Sequence, residues 1–105
     1  MAGTDQYHEP AEEMSAEIRD FARLSASLQE EAEAINWYEQ RIAASKNEEV
    51  KNILRHAQEE EFEHFAIDLE WLSRQLPQWR EVLKAILFKD GDIIENAEKW
   101  EHEND

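Results

Sequence analysis

Leu24, Leu28, Glu31, Ile35, Tyr38 and Ile42 follow alternating steps of four and three residues, and no other feature narrows the possible folds as far. At about 100° per residue these positions share one face of an α-helix, the geometry of a seam packed on another helix. A strand cannot use the pattern, because its faces alternate every second residue. Two Gly and two Pro in 105 residues also leave little room for sheet turns. The seam helix reads from Pro10, with Glu12 and Glu13 at the positive end of the dipole, through to Ala44. A span of about 50 Å at 1.5 Å per residue needs partners along its length.

Ser45-Lys46-Asn47-Glu48 reads as a capping box, with Ser45 as N-cap and Glu48 reaching back to it. The second helix is expected from about Lys46 to Gln75, ending ahead of Pro77. So short a connection makes the two helices antiparallel neighbours. Pro77 opens a third, shorter helix carrying Trp79, Val82, Leu83, Ile86, Leu87 and Phe88. Residues 89–92 form a turn, Ile93 to Trp100 a last weak helix, and residues 101–105 fray. The expected fold class is all-α: an antiparallel two-helix hairpin plus a short C-terminal helix. Residues 1–8 are expected as a flexible N-terminus, 9–92 as the helical domain, and 93–105 as a weakly helical or disordered acidic C-terminus.

A net charge of −15 opposes binding to nucleic acid or to an anionic membrane, and it concentrates cations instead. The absence of Cys removes disulfides, thiolate metal sites and cysteine nucleophiles. No apolar run approaches the roughly 20 residues of a membrane span, and the acidic start does not look like a signal peptide. A soluble cytoplasmic protein is expected.

Two glutamates interrupt apolar stripes. Glu31 sits in the middle of the first seam, and Glu61 lies on the helix face of Val50, Leu54, Ala57, Phe65 and Leu72. Glu61 also begins the chain's one Glu-x-x-His, with His64 one turn on, so that both side chains point the same way and can share an ion. Among 20 Glu and four His, such a pair alone reads more readily as a solvated face. The coincidence with Glu31 favours metal. A carboxylate-bridged di-iron site in a four-helix bundle takes a Glu from each of two helices and a Glu-x-x-His from each of the other two. This chain carries one of each, half the helices and half the ligands. A two-fold dimer sharing Glu31, Glu61 and His64 closes the stoichiometry. The oxygen-rich donor set with one imidazole suits iron or manganese, and zinc also fits it. Ligation requires neutral His64, so activity is expected to fall at low pH. Asp68, one turn beyond His64, is placed to hydrogen bond its imidazole.

Glu30, Glu33 and Trp37 form a second stripe rotated away from Glu31, readable as a hydrated acidic surface or, with its tryptophan, as an interface. Tyr38 falls on the seam beside Glu31, where core packing is its simplest role. His8, His56 and His102 stay unassigned, although Glu59 and Glu60 stand near His56.

Residues 29–38, Gln-Glu-Glu-Ala-Glu-Ala-Ile-Asn-Trp-Tyr, together with Glu59 to His64 and Leu69-Glu70-Trp71-Leu72, resemble the encapsulated ferritins. The resemblance covers most of residues 8–92. It implies a ferritin-like four-helix bundle completed by dimerisation, a ferroxidase oxidising Fe(II) to Fe(III) with dioxygen at a di-iron centre between subunits, an annular decamer, and housing inside an encapsulin nanocompartment. On matching positions it implies Glu31, Glu61 and His64 as iron ligands, Glu30 and Glu33 as the site where metal enters, and Trp37 and Tyr38 close by. The departure is at the C-terminus, where cargo members of the family usually carry a linker and an encapsulin-targeting peptide. No such peptide is visible up to Asp105. Three other readings compete: another carboxylate di-metal oxidase, a non-catalytic acidic helical interaction module that uses Trp37, Trp71 and Trp79, and passive cation buffering by the 26 acidic residues.

Overall fold

The structure, a computed structural model, describes residues 7–104, and all the regular structure in them is helical. The expectation for residues 1–6 of the N-terminus therefore lies outside the described residues. Four α-helices follow a single 3-10 turn at Ala11–Glu13: α1 Ala16–Ala44, α2 Glu48–Gln75, α3 Pro77–Ile86 and α4 Ile93–Glu103. The chain divides into two compact units, Met1–Leu72 and Ser73–Asp105.

The first unit is the expected hairpin, with two local differences. The helix expected from Pro10 is broken at Met14 and Ser15. Ser15 is extended and its Oγ accepts from the Ile18 N–H at 3.2 Å, so it caps a helix that starts one residue later. The Arg19 side chain turns back onto the Ala11 carbonyl, its Nε donating at 2.8 Å, and ties the 3-10 turn to α1. At the other end of α1, the N-cap of α2 is Asn47 rather than Ser45. Asn47 Oδ1 accepts from the Val50 N–H at 3.1 Å, while Ser45 Oγ accepts from the Asn47 N–H at 3.2 Å. The two side chains take different backbone donors, and it is the Asn oxygen that takes the one in the first turn of α2.

Gln58 sets the pairing of the two long helices. It is buried, 8% exposed, and its Nε2 donates to the Ile35 carbonyl and to Glu39 Oε1, each at 3.2 Å. The first half of α2 thus lies against the second half of α1, running the opposite way. The α1 seam residues Leu24, Leu28, Ile35, Tyr38 and Ile42 are only half-buried. Among the described residues Leu72 is the one apolar side chain fully covered, and Ile53, Phe62 and Ile67 on α2 stand exposed. One hairpin therefore makes an apolar stripe and not a closed core.

In the second unit the Arg80 guanidinium donates to Ser73 Oγ at 3.2 Å, and Pro77 occupies the first turn of α3. The turn after α3 places Leu87 at φ −74° and ψ 141° and Phe88 at φ 60°. Asp92 then caps α4 by accepting from the Glu95 N–H at 2.9 Å. At its other end α4 runs three residues past the expected Trp100, to Glu103, where Asn104 closes it, its Nδ2 donating to the Trp100 carbonyl at 2.9 Å. Among the described residues no helix is long and apolar enough to cross a membrane.

Candidate metal centre

Glu61 and His64 come from α2, one turn apart, with Glu61 Oε1 3.8 Å from His64 Nδ1. Glu61 is the more covered of the pair and His64 is about half-exposed. Imidazole and carboxylate therefore open from the hairpin on the same side. Glu31 reaches the same level from α1. Its Oε1 is closed off from solvent and has no hydrogen-bond partner. Burial, then a hydrogen bond with and the charge of Asp68, then the charges of Glu61 and Glu30, push the Glu31 carboxyl up to about 7. Three acidic side chains and one imidazole thus gather where the seams of the two helices meet.

Asp68 enters this group by a route the sequence reading did not anticipate. It lies seven residues after Glu61, hence on the same face of α2, but its partner is Glu31 across the hairpin rather than His64. Asp68 Oδ2 is likewise buried without a partner. Its signal was available: it is the third polar residue in one apolar stripe. What the sequence hides is which neighbour it meets.

The pairs stop short of a closed site. Among the described residues no three His, Asp or Glu side chains of one chain stand close enough to hold a metal ion. One chain offers two donor pairs, Glu61 with His64 and Glu31 with Asp68.

Glu30 and Glu33 are exposed on the outer stripe of α1, and Trp37 beside them is 48% exposed. Only the charge of Glu30 touches the group, through its effect on Glu31. Tyr38 is half-buried on the seam, with the Arg41 guanidinium 5.3 Å above its ring centroid, a cation–π contact. His56 and Glu60 form a separate, solvent-facing pair at 3.7 Å.

A protein-family model described as EncFtn-like matches residues 6–90. The chain belongs to the EncFtn-like family. The matched span contains every residue of the candidate centre and of the outer stripe. The chain is 50% identical over 95 residues to a ferritin-like protein of Thermotoga maritima, covering 90% of this chain and 83% of that one. It is 44% identical over 86 residues to an encapsulated ferritin-like protein of Rhodospirillum rubrum, covering 82% of this chain and 61% of that one. An encapsulin nanocompartment cargo protein of Myxococcus xanthus, EncC, is 35% identical over 80 residues, covering 74% of this chain and 60% of that one. The chain thus spans about three-fifths of the length of these last two relatives. The crystal structure of protein ne0167 from Nitrosomonas europaea superposes with a TM-score of 0.79 at 46% identity, covering 85% of this chain and 99% of that one. EncFtn-like membership and this superposition bear out the expected family and the all-α, ferritin-like hairpin.

Proposed function

We propose that the chain is a ferroxidase whose di-iron centre is completed by a second copy. The observation that carries this reading is the partnerless, buried Oε1 of Glu31, held against Asp68 and Glu61 with His64 beside them. An acceptor shut away from water costs roughly 1–3 kcal/mol unless something satisfies it. A cation shared with the donors of a second copy would satisfy that oxygen. The donor set, carboxylate oxygens with one imidazole, fits iron.

Fe(II) is the substrate in this reading. Glu31, Glu61 and His64 of two copies would hold two ions near the dimer axis, each ion gives one electron to dioxygen, the two electrons and two protons from solvent convert it to hydrogen peroxide, and Fe(III) leaves for mineralisation. Glu31 must give up its proton to bind, and His64 must be neutral to offer a nitrogen. Glu30 and Glu33, exposed on the outer stripe beside Trp37, collect Fe(II) where it enters. The dimer is supported by the uncovered flank of the site: Ile53 and Ile67 lie within about 60° of His64 around α2, and both are exposed. A second hairpin laid on that flank covers them and brings its own donor pairs to the first.

Further assembly as an annular decamer, and housing inside an encapsulin nanocompartment in the cytoplasm, extend the same reading. They are supported by family membership and by the names of the relatives from R. rubrum and M. xanthus.

Stopped-flow absorbance of Fe(III) formation tests the centre. Glu61→Leu and His64→Ala are each expected to abolish rapid oxidation, and the double variant to cost little more than either, because groups acting on one centre are not additive. Wild-type rates in both single variants would rule the centre out.

A further inference from the structure

The Glu61–His64 pair leaves Asp68 unexplained. Asp68 and Glu31 are both acceptors when ionised, and neither can satisfy the other without a proton between them. Glu31 Oε1 and Asp68 Oδ2 are closed to solvent and reached by no donor. A structural carboxylate at such a position normally finds an Arg, a Lys or a backbone N–H, since two like charges brought together out of water repel strongly. Here the second carboxylate comes from the same face of α2 as Glu61 and His64. We propose that Asp68 is itself a ligand of the centre, so that each subunit contributes three carboxylates and one imidazole rather than two and one.

This rests on the metal-centre reading above and extends its donor set. Its chemical consequence is selectivity. An added carboxylate hardens the site, favouring oxygen-seeking divalent ions such as Fe(II) and Mn(II) over zinc. It also brings one more negative charge per subunit against the charge of the bound ion. Without metal the same pair depends on a proton shared between the two carboxyl groups.

The test uses the full chain without oxygen, titrated with Mn(II), free ion being read by electron paramagnetic resonance. Metal-free melting and circular dichroism are followed in parallel. Asp68→Asn keeps shape and removes charge. It is expected to weaken Mn(II) binding by tenfold or more, to weaken Zn(II) binding less, and to raise the metal-free melting temperature. Glu61→Leu serves as reference and is expected to abolish Mn(II) binding. If Asp68→Asn binds Mn(II) within twofold of wild type while Glu61→Leu does not bind, Asp68 is no ligand and the centre stands without it. A raised melting temperature with unchanged Mn(II) affinity overturns the proposal in the same way, leaving only a strained carboxylate. If wild type and both variants bind alike, or wild type binds nothing, the metal-centre reading fails with it. Asp68→Glu, which restores the carboxylate, is expected to recover part of the affinity, and a failure to recover any, with helicity intact, counts against ligation.

Discussion

At the scale of single residues, the electrostatics of Glu31 set the pH response. Burial and the neighbouring Asp68 raise its carboxyl to about 7, well above the value near 4.5 expected in an unfolded chain. Between those values the folded state holds a proton that the unfolded state has lost, so stability falls as pH rises through that interval. The metal-free protein is therefore expected to be most stable toward pH 5 and to lose stability as pH approaches and passes 7, measured by thermal melting in chelator. Metal binding has the opposite slope, since the ion displaces that proton, and affinity for Mn(II) should climb through the same range. A melting temperature that rises from pH 5 to 7 would show that Glu31 is ionised in the folded chain throughout. Phe88 carries a different local strain. It holds φ 60° at the third position of the turn after α3, where glycine is the usual residue, and its ring is fully exposed. Left-handed backbone costs an L-residue roughly 1–2 kcal/mol, while an exposed ring returns nothing. Phe88→Gly is expected to stabilise the isolated chain by about 1 kcal/mol in urea unfolding, less the added freedom glycine gives the unfolded state. A loss of stability instead would mean that the ring packs on another copy.

At the scale of elements, the hairpin is a register device. α1 and α2 present acidic residues in apolar stripes, and those residues become a site only if the helices are paired at the correct height. Gln58 holds that height by donating to Ile35 and Glu39 across the hairpin, one turn before Glu61. Gln58→Leu keeps the volume and removes both donors. About 1–2 kcal/mol of stability should go with them, together with several-fold in Mn(II) affinity, because Glu31 and Asp68 no longer meet at a fixed distance. Unchanged affinity would show that side-chain packing alone sets the register. Helix boundaries answer to the same local chemistry. Ser15 and Asn47 capture backbone donors and start α1 and α2 after the positions that Pro10 and Ser45 led one to expect.

At the scale of the whole molecule, the hairpin leaves Leu72 as the one fully covered apolar side chain among the described residues, with Ile53 and Ile67 bare on the flank of α2 that carries His64. Native mass spectrometry with and without Fe(II) is expected to show dimers or larger rings gaining population with metal, since binding that requires two copies stabilises their association. A monomer that oxidises iron at full rate without assembling would remove the half-site model. Helical class, hairpin order, the third helix at Pro77 and the two apolar stripes, one interrupted by Glu31 on α1 and the other by Glu61 on α2, were all legible in the sequence, because periodicity and turn residues act locally and repeat along the chain. The encapsulated-ferritin family was legible from residues 29–38, 59–64 and 69–72. The contacts of Asp68 and Gln58 were not. Each faces a neighbour some twenty or more residues away, Asp68 meeting Glu31 and Gln58 meeting Ile35 and Glu39. Such a meeting depends on the pairing height of two helices, which a repeat of three and four residues leaves free to slide by whole turns. Only the packed hairpin decides it, and with it whether a buried carboxylate finds a donor, a proton or an ion.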